Sequence, residues 1–191
     1  MVIEAIAFDC YGTLLQIHDL RHPYGALAKL AGGRLDPSPM IVPLELADAV
    51  STNKRSIEID EAELRALETD LTAELASVRP IPGALGTLRA LRRRGYRLAV
   101  ASNLALPYAE PLRRLVGGLV DVECLSFEIG VFKPSESFYA QLCSRLACEP
   151  SEVLMVGDSL RNDRDGAVAA GLNARHIAAG DPISCVLADL C

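Results

Sequence analysis

Val2-Ile3-Glu4-Ala5-Ile6-Ala7-Phe8-Asp9-Cys10-Tyr11-Gly12-Thr13-Leu14 is the stretch from which the rest of this 191-residue chain can be read. Residues 2–8 are almost continuously apolar, the pattern of a strand buried on both faces. Asp9 follows at once, and Gly12 marks a turn. A carboxylate at the mouth of a buried strand is costly unless something pairs with it.

The same design recurs downstream. Residues 97–101 read as a strand ending at Ser102-Asn103. Residues 122–127 read as a short strand, with Lys133-Pro134 beyond it. Residues 153–156 read as a strand ending in Gly157-Asp158, and residues 174–178 as a last one. Helical patterns separate them. Leu85, Leu88 and Leu91 mark a helix stopped by Gly95, and residues 107–116 read as helical. Ser135 opens a helix with Phe138, Leu142, Cys143 and Leu146 on one side. Residues 163–170 read as a helix stopped by Gly171, and Asp181-Pro182 starts a terminal one. Strands alternating with helices predict an α/β fold, a parallel sheet with helices on both faces.

Residues 18–80 differ. A polar break at Pro23 and Gly25 and a turn-rich part with Pro37, Pro39 and Pro43 precede one strong helix. Asp60 can cap it, Glu63 completes a capping box, and Leu64, Leu67, Leu71, Leu75 and Val78 share a face. No strand signal is present, so a small helical insertion is expected.

Composition narrows the function. The net charge is −6, and half the residues are apolar. The acidic balance argues against nucleic acid, and Arg92-Arg93-Arg94 reads as a solvated helix face. No run approaches the ~18 apolar residues of a membrane span. The N-terminal residues lack the basic region of a secretory leader. Six cysteines without a C-x-x-C pair read as reduced, mostly buried thiols, Cys10 among them. The expectation is a cytoplasmic protein.

In a parallel sheet, ligands bind at the carboxyl ends of the strands. Asp9, Ser102-Asn103, Lys133 and Asp158 therefore converge on one crevice. Carboxylates can hold a hard divalent cation, or one can attack as a nucleophile. The lysine offsets their repulsion and can hold a phosphoryl oxygen. Backbone N–H groups around Gly12-Thr13 could cradle an anion.

These residues resemble the haloacid dehalogenase superfamily. Phe8-Asp9-Cys10-Tyr11-Gly12-Thr13-Leu14 is similar to its first motif, D-x-D-G-T. The strand ending in Ser102-Asn103 is similar to the second, and Lys133-Pro134 to the third. Gly157-Asp158 with Asp163 is similar to the fourth. The resemblance implies a Rossmann-like core, residues 1–17 and 80–191, with a helical cap at 18–79 inserted after the first strand. It implies Asp9 as nucleophile, Ser102 binding the transferred group and Lys133 orienting Asp9. Tyr11, Gly12, Thr13 and Asn103 would contact substrate. Mg²⁺ would be held by Asp9, the backbone carbonyl of Tyr11, Asp158 and Asp163.

One position departs from the phosphatase pattern. Their general acid/base Asp is here Tyr11, and a phenol near pKa ~10 is a poor replacement at neutral pH. Tyr at this position is what the metal-free 2-haloacid dehalogenases show. Those enzymes lack the Asp that Asp158 provides, and they use a cap arginine, for which Arg21, Arg34 and Arg55 are candidates. His18 or His22 could supply the missing proton. The first expectation is a Mg²⁺-dependent phosphatase acting on a small phosphorylated metabolite. The alternatives are a 2-haloacid dehalogenase and a weakly active or non-catalytic binding member.

Overall fold

The computed structural model describes residues 2–191. In chain order, strand β1 is Ala5–Phe8 and β2 is Leu15–Gln16. Helices α1 (Pro23–Leu30), α2 (Leu46–Thr52) and α3 (Glu61–Ala76) follow. Then come β3 (Arg79–Pro80), α4 (Ala84–Arg93), β4 (Arg97–Ser102) and α5 (Ala109–Leu115). The chain continues through β5 (Val122–Leu125), α6 (Ser126–Ile129), α7 (Glu136–Leu146) and β6 (Val153–Gly157). It ends with α8 (Gly166–Ala169), β7 (Asn173–His176) and α9 (Ile183–Val186).

The main sheet is five-stranded in the order β5-β4-β1-β6-β7, and every pairing is parallel. This is the parallel α/β sheet that the alternation predicts, in the Rossmann-like form that the resemblance implies. β1 is central, so Asp9 emerges from the middle of the sheet. Its two faces carry different cores. Ile6, Phe8, Leu98 and Val100 pack with Leu88 and Leu91 of α4. Ala5, Ala7, Ala99 and Ala101 face Phe138, Tyr139 and Leu142 of α7. Small residues on that second face leave room for two aromatic rings, and the alternation follows from the period of the strand.

Several elements differ from the sequence reading. β1 is shorter than 2–8. The strand expected at 122–127 stops at Leu125, and Ser126 turns helical, its hydroxyl accepting from the Leu104 N–H at 3.1 Å. Helical structure begins at Leu160, ahead of the expected 163, as a wide turn over Leu160–Asp165 that leads into α8. Pro182 stands at the cap of α9 rather than inside it. A short strand does occur at the end of the insertion: Arg79–Pro80 pairs antiparallel with Leu15–Gln16. Pro23 starts a helix instead of breaking one, since its ring suits a first helical position.

Residues 18–79 hold α1, α2 and α3 around their own apolar cluster of Leu27, Leu35, Leu44, Leu46, Ala49 and Leu71. α3 is capped as its sequence predicts. Asp60 accepts from the Glu63 N–H at 2.8 Å, and Glu63 accepts from the Asp60 N–H at 3.2 Å. Val78 leaves this face and joins the main core.

Glu74 is the residue that the sequence reading passed over. It lies on the apolar face of α3 with Leu71 and is only 1% exposed. Its Oε2 accepts the Arg21 and His22 N–H groups at 2.7 and 2.8 Å. Its Oε1 accepts the Tyr108 hydroxyl at 2.6 Å. One carboxylate thus ties α3, the segment entering α1 and the region after β4 together. A carboxylate at i+3 from Leu71, on a stripe of leucines, was the available signal. Truncating Glu74 to alanine leaves these donors without their acceptor. The expected loss is about 3 kcal/mol of unfolding free energy, at ~1–3 kcal/mol per stranded buried group. Urea denaturation measures it, and an unchanged midpoint would remove Glu74 from this role.

Among the described residues no helix is long and apolar enough to cross a membrane.

Candidate active site

The parallel register brings the carboxyl ends of β1, β4 and β6 side by side. Phe8 pairs with Val100 and with Val156, so Asp9, Ser102 and Asp158 emerge on one edge of the sheet. Lys133 arrives from the loop beyond β5 and α6. Its backbone is held by Asn103, whose amide donates to the Lys133 carbonyl at 2.9 Å and accepts from the Lys133 N–H at 2.8 Å. The Asn103 side chain is therefore engaged with the lysine loop.

Lys133 is 2% exposed. Its Nζ donates to Asp9 Oδ1 at 2.8 Å, to Asp163 Oδ1 at 2.6 Å and to the Ala101 carbonyl at 2.7 Å. All three ammonium donors have a partner. Burial pulls its pKa down, but Asp9 and Asp163 outweigh that, and the ammonium is held above the ordinary lysine value. Ser102 Oγ donates to Asp9 Oδ1 at 3.0 Å. Asp9 is consequently oriented by two donors on one oxygen.

Asp9, Asp158 and Asp163 each offer a carboxylate oxygen within 4.8 Å of the other two. One lysine cannot neutralise three carboxylates, and it reaches Asp9 and Asp163 but not Asp158. Burial and the Asp9 charge push Asp158 above the ordinary carboxylate value. Burial pushes Asp163 up as well, against the opposing pull of Lys133.

Two glycines make room for the second and third carboxylates. A Cβ on Gly12 would stand 2.3 Å from Asp158 Oδ2, and Gly12 has φ +91°. A Cβ on Gly157 would stand 2.3 Å from Asp163 Oδ2. Asp163 Oδ2 also accepts the Ser159 N–H at 2.9 Å. Beside them Thr13 is buried, and its hydroxyl has no partner. An oxygen-rich cluster with excess negative charge suits a hard divalent cation. The orphan Thr13 hydroxyl is a further polar group at the same strand end.

Tyr11 turns away from this cluster. Its hydroxyl donates to the Tyr108 carbonyl at 2.8 Å, and the two rings meet edge to face. Burial raises its pKa far above that of an ordinary phenol. Cys10 is fully buried among Ile6 and Phe8, and burial with the adjacent Asp9 raises its thiol too. It packs, as strand alternation predicts. Of the candidate arginines, Arg21 pairs with Asp19 and Asp70 on the surface, and Arg34 and Arg55 line a separate cavity. His22 lines the cavity beside Tyr11, while His18 is exposed near Ser77.

The family model for haloacid dehalogenase-like hydrolases matches residues 3–171. The chain belongs to this family. Members on both sides of its chemistry resemble it. A glyceraldehyde 3-phosphate phosphatase of Methanothermobacter thermautotrophicus is 35% identical over 103 residues, covering 53% of this chain and 46% of that protein. An (S)-2-haloacid dehalogenase of a Pseudomonas species is 31% identical over 195 residues, covering 92% of this chain and 84% of that one. The chain spans about half the length of the curated phosphatases it matches. Among solved structures, a HAD family enzyme of Bacteroides thetaiotaomicron superposes with a TM-score of 0.72 at 17% identity, covering 98% and 99% of the two chains. A magnesium complex of that enzyme superposes at 0.71. These structural likenesses establish the fold, and the family model establishes a hydrolase of the haloacid dehalogenase-like kind.

Proposed function

We propose that this hydrolase is a Mg²⁺-dependent phosphatase of small phosphate monoesters, with residues 18–79 acting as a cap over the strand ends. The observation that carries the reading is the third carboxylate, Asp158, set against Asp9 and Asp163 with no lysine or arginine paired to it among the described residues. Attack on carbon in a haloacid needs a nucleophile and an anion-binding cation. It has no use for a cluster of mutually repelling carboxylates.

In this reading Asp9 Oδ2, the oxygen free of Lys133 and Ser102, attacks phosphorus. The P–O bond to the alcohol breaks, and the departing oxygen takes a proton from solvent. Water then attacks the phosphorus of the aspartyl phosphate, releasing phosphate and returning Asp9 as carboxylate. Lys133 balances the charge that develops, and Ser102, together with the backbone at Gly12-Thr13, holds the transferred group. Asp9, Asp158 and Asp163 with the Tyr11 carbonyl would hold Mg²⁺, which when bound supplies charge neutralisation at the phosphoryl group. Tyr11, with its raised pKa and its hydroxyl engaged, does not serve as the acid. General acid help is worth ~10²–10⁴ in rate, so turnover is slow for poor leaving groups.

A second reading, 2-haloacid dehalogenase, has Tyr11 and the Pseudomonas relative in its favour. The cavity beside Tyr11, however, is lined by no arginine. One experiment separates the two. The purified protein is assayed with aryl phosphate and with 2-chloropropionate, each with Mg²⁺ and with EDTA. Phosphate release that requires Mg²⁺ is the expected result. Chloride release in EDTA would overturn the phosphatase reading.

A further inference from the structure

Two cavities open at the strand ends, one lined by Asp158, Gly12 and Thr13 and the other by Tyr11 and Asn103. The larger, about 580 Å³, lies beside Asp158 against Gly12, Thr13 and the segment 177–183, and no residue of 18–79 lines it. The smaller, about 320 Å³, lies between residues 18–79 and the strand ends, and it opens beside Tyr11 and Asn103, just past Asp9 and Ser102. Leu20, Met40, Leu104 and three tyrosine rings supply much of its wall.

The polar groups of this smaller cavity are already occupied. The Tyr11 hydroxyl donates to the Tyr108 carbonyl, and that of Tyr24 to the Leu44 carbonyl at 2.9 Å. The Tyr108 hydroxyl and both Glu74 oxygens bond to each other or to the backbone. The Asn103 amide holds the Lys133 backbone. No lysine or arginine lines the space, and His22 is the one lining group able to become cationic. Leu20 and Met40 are large apolar residues left exposed at its wall. A carboxylate or second phosphate entering here would lose water without gaining a cation, and sugar hydroxyls would find few free partners.

We propose that this cavity receives the alcohol portion of the substrate and selects a neutral, apolar group, so that the enzyme prefers alkyl and aryl phosphate monoesters over phosphorylated acids and sugars. The proposal rests on the phosphatase reading above. The larger cavity carries no such role, because the cap segment does not close over it.

The test compares kcat/KM, with Mg²⁺, for benzyl phosphate, butyl phosphate, phosphoglycolate and glycerol 3-phosphate, all of which release an alkoxide. Benzyl phosphate is expected to exceed phosphoglycolate by about tenfold to a hundredfold, the effect of burying one aromatic group. Leu20→Arg, with Met40→Arg as a second variant should the first misfold, places a cation at the wall. Either is expected to narrow that preference by about tenfold, through phosphoglycolate KM. Calorimetry on the Asp9→Asn protein with benzylphosphonate and phosphonoacetate reads the cavity without turnover. Equal or tighter binding of phosphonoacetate, or binding of neither, overturns the proposal. Tighter benzylphosphonate binding by a protein that hydrolyses none of the esters supports the cavity assignment and overturns the phosphatase reading alone.

Discussion

Asp9→Asn protein is expected to fold and not to turn over. The amide keeps an oxygen for the Ser102 hydroxyl and the Lys133 ammonium, which sit 3.0 and 2.8 Å from Asp9 Oδ1. It loses the charge that the proposed mechanism requires on the attacking oxygen. The loss in kcat is expected to be about 10⁴-fold or more, the scale seen when a covalent nucleophile is removed. Stability changes little, because two effects oppose. Lys133 loses one of its carboxylate partners but keeps Asp163. Asp158 loses the neighbouring charge that helped push its pKa up. Acid-quenched wild-type enzyme should carry a covalent phosphoryl group by mass spectrometry, and the variant none. Residual turnover within about tenfold of wild type would remove Asp9 from the role of nucleophile.

Lys133→Met has the largest expected effect on the fold. The methionine fills most of the space, but Asp9 and Asp163 lose a cation buried between them. Breaking one side of a buried ion pair costs ~3–5 kcal/mol, since the remaining charge has no compensation. The pH dependence follows from the direction of the shifts. Asp158 and Asp163 already sit above the ordinary carboxylate value, and removing the ammonium raises them further. A carboxyl whose folded pKa lies above its unfolded one favours the folded state at low pH, and that contribution disappears as pH rises through the folded value. The variant is therefore least stable, relative to wild type, at neutral pH, and the gap narrows as pH falls toward the ordinary carboxylate range. If the carboxylate cluster holds Mg²⁺ as proposed, the ion should also narrow it, because the variant's site, one positive charge poorer, binds the cation more tightly than the wild-type site does. Chemical denaturation from pH 7 downward, with and without Mg²⁺, reads both effects. A deficit that stays constant with pH would mean that the lysine acts by packing rather than by charge.

Asp9, Ser102, Lys133 and Asp158 were legible in the sequence for one physical reason, as polar residues at or beyond strand ends, whereas Asp163 followed only from the resemblance to the fourth motif. Strands buried on both faces announce themselves as apolar runs, and the polar residue that ends each run falls at the same edge of a parallel sheet. Asn103 was legible as a position but not as a partner. That its amide clamps the lysine loop depends on a contact across thirty residues of chain. Tyr11 was legible as the departure from the motif, but where its hydroxyl points was not, because Tyr108 comes from a different element.

The insertion was the least readable segment. The one helix with a sharp cap and leucine spacing, α3, was found, while α1 and α2 were missed. α1 begins at a proline and is short, and α2 has no capping hydrogen bond from its side chain. Weak helices of this kind owe their form to packing around Leu27 and Leu46, not to local preference. Glu74 was overlooked for a related reason: a glutamate on a helix is solvated by default, and only the folded chain brings three donors to it.

By itself, then, the sequence determined the parallel α/β core and the strand ends to which the chemistry is assigned in the proposal, because period and burial are written locally. Only the tertiary structure decided that Lys133 reaches two of three carboxylates, that glycines make way for the other contacts, and that the polar groups beside Tyr11 face one another instead of a ligand. Hydrogen bonds and ion pairs between distant segments depend on the packing of all of them at once, and no local pattern encodes which donor will meet which acceptor.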